Sequence, residues 1–151
     1  MAPKKTLLIS AVRKVAFHRR DDGEKLIRQG QYRGGMYIMG YAVECALKAY
    51  TGRHLGRDVR TLKEAEARYE ARYGVRLDLT SVRAHNLRRL FAVAETLKLR
   101  IGTDKDLAQA KNRCLAWDYR WRYDPTPATR AEAYAFRDAV AQFHDWLLQR
   151  Q

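Results

Sequence analysis

The stretch that most limits what this chain can become is residues 31–50, Gln-Tyr-Arg-Gly-Gly-Met-Tyr-Ile-Met-Gly-Tyr-Ala-Val-Glu-Cys-Ala-Leu-Lys-Ala-Tyr. Set on a helix, Met36, Met39, Val43, Leu47 and Tyr50 form one stripe, and Gly35, Ile38, Ala42, Cys45 and Ala49 form a second. Both follow the three- and four-residue spacing that keeps side chains on one face. Between Gly34 and Ala49 the charges are Glu44 and Lys48. A helix apolar on several faces belongs at the enclosed centre of a bundle. Gly34, Gly35 and Gly40 each weaken it by about 1 kcal/mol relative to Ala, which a very close helix–helix approach would make tolerable. The fold class predicted is therefore all-α.

The rest of the chain is read around this helix. Residues 5–20 give a first, basic helix with Leu8, Ile9, Val12, Val15 and Ala16 inward. Asp21-Asp22-Gly23 reads as a turn, followed by a short helix over 24–29 with Leu26 and Ile27 inward and a break at Gly30. Thr51-Gly52 is expected to end the central helix, and His54–Arg60 forms a basic loop with Arg53, Arg57 and Arg60. Thr61 and Glu64 make a capping box, each able to satisfy a free backbone N–H at a helix start. That helix is mostly polar, lies outside, and runs to Tyr73 before Gly74. Thr80 or Ser81 caps a helix to Lys98, with Val82, Leu87, Leu90, Phe91 and Val93 as core candidates. After Gly102-Thr103 another helix reaches Tyr119, with Asp104 and Asp106 in its first turn, where negative charge suits the helix dipole. Asp124-Pro125-Thr126-Pro127 forces a turn. A second capping box, Thr129 and Glu132, opens a last helix carrying Ala133, Phe136, Val140, Phe143 and Leu147 on one face.

A chain of 151 residues is a single domain, 1–151, with room for one sizeable core. Its charge narrows the partners. Lys and Arg number 30 against 17 acidic residues, a net +13, and 21 of the basic residues are Arg. Arg presents a planar fork that matches phosphate oxygens, and such a balance suits a polyanion: RNA, DNA or an acidic protein surface. Cys45 and Cys114 make no disulfide framework. His18, His54, His85 and His144 are scattered and no Cys-x-x-Cys or His-Glu-x-x-His spacing occurs, so no metal site is expected. Gly34-Gly35 inside a helix is not a phosphate loop, and no cofactor is expected. Lys4-Lys5 before Thr6–Val12 imitates a signal peptide, but the apolar run is too short and Arg13 and Lys14 interrupt it. No run reaches about 20 apolar residues, so no membrane span is predicted, and a reducing, cytoplasmic setting fits.

Tyr41-Ala42-Val43-Glu44-Cys45-Ala46-Leu47-Lys48-Ala49 resembles the signature helix of the HEPN domain family. Two further motifs follow in the family's order: His85-Asn86-Leu87-Arg88-Arg89-Leu90 resembles its His-x-Leu-x-x-Leu helix, and Arg122-Tyr123 its Arg-Tyr pair. The resemblance runs from about Gly23 to the last helix. It implies an antiparallel helical bundle, four core helices plus short extra ones, that pairs as a homodimer. It also implies a nucleic-acid-associated module, with RNA the first partner, of a toxin–antitoxin or defence system. Two alternatives come with it: a metal-independent endoribonuclease, and a helical partner of a nucleotidyltransferase.

Glu44 precedes Lys48 by four residues, the favourable order for a helical ion pair. On an enclosed helix the carboxylate needs a buried partner; Arg122 is the first choice because both lie in family motifs, and Tyr123 joins Glu44 and Lys48 in the structural motif. Structural anchoring and ligand binding both remain open for Glu44. His85 has two readings as well: a packing histidine, or a member of a phosphate-contacting patch with Arg83, Arg88 and Arg89. No carboxylate adjoins it in sequence, which argues against a general base. Trp117, Tyr119, Trp121 and Tyr123, interleaved with Arg120 and Arg122, read either as a base-stacking platform or as core and dimer contacts with Arg resting on rings.

The family's ribonucleases use an Arg, four to six residues, then a His, late in the chain. Arg13 and His18 have the spacing but come early, and on one helix point about 140° apart. Arg137 and His144 sit in the last helix with Asp138 after the Arg. Seven residues apart, they point within about 20° of each other and lie about 10.5 Å apart along the axis, with room for a phosphodiester between. His144 would then move the proton and Arg137 would hold the phosphate.

Overall fold

The structure, a computed structural model, describes residues 6–151. Two expectations fall outside the described residues: the first helix's start at Lys5 and a core role for the Val82 side chain. Six α-helices follow one another: α1 Ile9–Arg28, α2 Tyr32–Leu55, α3 Leu62–Tyr73, α4 Leu87–Thr96, α5 Lys105–Leu115 and α6 Arg130–Leu148. Short 3-10 turns occupy Val82–His85 and Tyr119–Tyr123. The sole extended pairing among the described residues is an isolated bridge between Leu8 and Thr61.

The fold is the all-α antiparallel bundle that the apolar stretch predicts, with α2 at its centre, touching α1, α3, α4, α6 and the Tyr119–Tyr123 turn. Met36, Met39, Val43, Leu47 and Tyr50 are all buried, as are Ala42 and Ala49 on the second stripe. Α-helix α6 lays Ala133, Phe136, Val140, Phe143 and Leu147 into the same core. Both capping boxes form: Thr61 Oγ1 accepts from Glu64 N at 3.1 Å, and Thr129 Oγ1 from Glu132 N at 3.1 Å.

Four boundaries differ from the sequence reading. The helix expected to reach Tyr119 stops at Leu115, because Asp118 caps a separate 3-10 turn over Tyr119–Tyr123 by accepting from Arg120 N at 2.8 Å. Asp21-Asp22-Gly23 does not turn; α1 runs through it as one helix of 20 residues. The reason is tertiary. Gly23 lies against Gly35, and a Cβ on either would stand 2.7 Å from the other's carbonyl oxygen. The two helices therefore touch backbone to backbone, and the close approach outweighs the local turn signal. Thr51-Gly52 likewise does not stop α2, which continues to Leu55 because Gly52 makes room for the Ile9 side chain. The expected helix over 80–98 is divided at Asn86, whose side chain caps α4 by accepting from Arg89 N at 3.1 Å. At Gly40 a Cβ would overlap the Trp117 indole, whose Nε1 donates to the Tyr37 carbonyl at 3.0 Å. This contact fixes the segment after α5 against α2.

Candidate functional site

Glu44 is the most deeply buried carboxylate among the described residues, 3% exposed on α2. A lone carboxylate there would be costly to ionise, and two side chains hold it. Lys48 Nζ donates to Oε1 at 2.6 Å, and His85 Nδ1 sits 2.8 Å from Oε2. Arg122, the expected partner, is elsewhere: its guanidinium lies over the Tyr123 ring at 4.8 Å. Tyr123 itself is 72% exposed and anchors nothing near Glu44. Glu44 and Lys48 thus form the structural pair as read, but the third member is His85, brought from 41 residues away.

This contact corrects the view of His85 as a histidine without a carboxylate. A carboxylate can only accept, so Nδ1 carries the proton toward Glu44 and Nε2 is the nitrogen left for the outside. The ring is packed by Tyr41, edge-on at 5.6 Å, and by Tyr119 at 5.9 Å. Its side chain keeps 28% of its surface exposed. It opens on a cleft of about 290 Å³ whose walls include Asn86, Arg88, Trp117, Tyr119 and Arg120. Behind the ring, Tyr41 and Tyr37 join hydroxyls at 2.6 Å. Burial, then the Tyr37 hydroxyl, pushes the Tyr41 phenol above its ordinary range, so it stays neutral there.

On the other side of the same turn lies a second, wholly surface pocket, about 360 Å³, lined by Arg76, Asp78, Ser81, Arg83 and Arg89. Asp78 is occupied locally: it accepts from Ser81 N at 3.0 Å and from the Ser81 hydroxyl. The Ser81 hydroxyl, and the backbone bonds after it, hold the Asp78 carboxyl below its usual range. Arg83 and Arg89 line this pocket and His85 and Arg88 line the cleft, so the four form a basic ridge only in the sense that they flank the 3-10 turn and the positive end of α4. Arg76 was not singled out from the sequence, since its loop carries no motif; only the fold brings it to Arg83 and Arg89. Arg120 stands at the cleft's edge with its guanidinium forked onto Asp118, Nε at 2.9 Å and Nη2 at 2.6 Å. It is charge-compensated where Arg88 makes no ion pair among the described residues. The α5–α6 cleft is larger, about 510 Å³, but sets Arg113 against Asp106 and Asp138 and so has no basic excess.

The aromatic run after α5 divides between its two readings. Trp117 is core, stacked on Tyr37 at 6.1 Å and edge-on to Tyr41 at 5.0 Å. Trp121 packs on Phe136 at 5.7 Å with the Arg33 guanidinium 5.5 Å above it. Tyr119 alone of the four presents a half-buried ring to the His85 cleft.

Arg137 and His144 are not brought together. Arg137 folds back onto Asp138 at 2.9 Å and lies over Tyr134 at 4.5 Å. His144 is 1% exposed. Its Nδ1 lies 3.4 Å from Arg20 Nη1, and its ring packs on Phe17 at 4.8 Å. Burial, then the Arg20 charge, lowers its pKa to about 4. Within the chain it is a neutral packing imidazole shut off from solvent, because α1 covers the face of α6 that the seven-residue spacing shares. The thiols are likewise shielded, with burial pushing Cys45 up to about 11.

Comparison with protein-family models, curated proteins and solved structures finds no match to this chain. Among the described residues no group of three or more His, Cys, Asp or Glu could hold a metal ion, and no helix is long and apolar enough to cross a membrane.

Proposed function

We propose that this chain is a HEPN-like, RNA-associated binding module of a toxin–antitoxin or defence system, working as a homodimer, and that it meets RNA along the ridge Arg83–Arg89. The observation that carries this reading is the ridge itself. Arg76, Arg83, Arg88 and Arg89 flank one turn, and the two carboxylates lining the same pockets are already engaged, Asp78 by Ser81 and Asp118 by Arg120. Arginines that lack protein partners are set to take phosphate oxygens, and the net charge of +13 draws a polyanion toward them. The half-buried Tyr119 ring beside the ridge offers a face for an unpaired base. The family motifs at Glu44 and His85 meet in space, which supports the resemblance.

The test is anisotropy titration of a labelled 20-nucleotide single-stranded RNA over a range of salt. Each phosphate contact on a single strand contributes about −0.7 to the slope of log affinity against log salt. Replacing Arg83, Arg88 and Arg89 by Ala together flattens the slope by roughly 2. An unchanged slope sinks the reading. Tight binding of the same face to an acidic nucleotidyltransferase, with none to RNA, would move the chain to the partner-subunit alternative.

A further inference from the structure

We propose that His85 is a general base for metal-independent cleavage of the RNA backbone in the cleft beside Tyr119, with Glu44 as its positioning residue. The inference rests on the RNA reading above and gives the ridge a reaction. It places the chemistry on residues other than Arg137, which is turned onto Asp138, and His144, which is buried.

Four observations meet at this point. The imidazole is held by a carboxylate at 2.8 Å on its Nδ1 side, the arrangement that fixes one tautomer and leaves Nε2 as the acceptor. The carboxylate cannot swing, because Lys48 grips its other oxygen at 2.6 Å in the interior. The ring is clamped between Tyr41 and Tyr119, yet lines an open cleft. Arg88, the next basic residue on the wall, has no ion pair among the described residues and stands at the first turn of α4. A histidine serving only to pin the turn to α2 needs the first two features; the open cleft and the waiting guanidinium are what a phosphodiester requires.

The step is written on neutral His85. Nε2 takes the proton of a ribose 2′-hydroxyl as O2′ attacks the adjacent phosphorus. The P–O5′ bond breaks, and the departing 5′ oxygen takes a proton from water. His85 then returns its proton to solvent. Arg88 holds the non-bridging oxygens and the charge that gathers on them. The products are a 2′,3′-cyclic phosphate and a 5′-hydroxyl; nothing is oxidised or reduced, and no co-reactant beyond water is used.

The experiment uses the full chain and the labelled 20-nucleotide RNA in EDTA, with binding and cleavage followed in the same samples. The parent cuts the RNA to cyclic-phosphate ends and leaves 2′-deoxy oligonucleotide of the same sequence bound but whole. With RNA at saturating concentration, so that any loss of affinity drops out, His85→Ala cuts at least about a hundredfold more slowly than the parent. Added imidazole restores part of that rate, which shows the variant to be folded. Glu44→Gln displaces the acid limb of the kcat–pH profile, which mere loss of folded protein, lowering kcat equally at every pH, does not do. RNA bound yet uncut by the parent overturns the proposal and leaves the binding module standing. Equal cutting by parent and His85→Ala overturns it as well. Absence of RNA binding by the parent overturns both.

Discussion

His144 makes the stability of this chain depend on pH in a window set by its own burial. Folded, its pKa is lowered to about 4, first by burial and then by the Arg20 charge; Asp145 acts in the opposite sense and Arg13 adds to Arg20. Unfolded, an imidazole titrates near 6.5. Between those values the unfolded chain binds the proton and the folded chain does not, so stability rises with pH. The contribution is fully present above about 6.5 and is lost as the pH falls toward 4. A gap of about 2.5 pH units corresponds to roughly 3 kcal/mol in full, of which about 2 kcal/mol disappears between pH 7 and pH 5. The perturbation is His144→Met, which fills similar space with a flexible apolar side chain and cannot titrate. Urea unfolding of both chains at pH 7, 6 and 5 reads the effect. Every other group titrates in both and cancels in the difference. The variant gains about 2 kcal/mol on the parent across this range, or roughly 4–8 °C in Tm for a chain of this size. A difference that stays flat from pH 7 to pH 5 refutes the reasoning, and with it the assignment of His144 as a buried, neutral side chain.

Two further outcomes follow from the interior. Lys48→Met leaves the buried Glu44 carboxylate without its ammonium partner and costs about 3–5 kcal/mol in denaturant unfolding, whereas His85→Ala costs about 1–2 kcal/mol because Lys48 remains and the cleft admits water; the reverse order contradicts the pairing found here. Gly40→Ala forces the new methyl into the Trp117 indole and costs about 1–3 kcal/mol in thermal melts, with a shift in tryptophan emission, while Gly34→Ala, whose Cβ meets nothing within 4 Å, leaves both Tm and emission at or above the parent's.

How much of this was legible in the residues depended on whether the cause was local. The enclosed helix was legible because α2 is apolar almost all round, and the two capping boxes because each is a four-residue device that needs no tertiary partner. Where a neighbour decided the outcome, local signals misled. Gly23 looks like a turn residue until Gly35 is set against it, and Gly52 like a helix stop until Ile9 is placed on it. The Glu44 partner was sought at Arg122, but the ion pair closes with His85, which a carboxylate 41 residues away makes into a different kind of histidine. Asn86 did carry a readable signal: as a capping residue inside the expected helix over 80–98 it marks the break before α4. No signal in the sequence of α6 tells that α1 covers His144, since the same seven-residue spacing serves a buried face and a catalytic one.

If RNA docks where proposed, it touches the turn Val82–His85 and the first residues of α4. Backbone amide shifts of the full chain, followed by NMR as the 20-nucleotide RNA is added, test it most directly. The largest shifts are expected at Arg83, His85, Arg88, Arg89 and Tyr119, with α1 and α3 little changed. Shifts gathered instead on α1 or α3, with the ridge silent at saturation, contradict it.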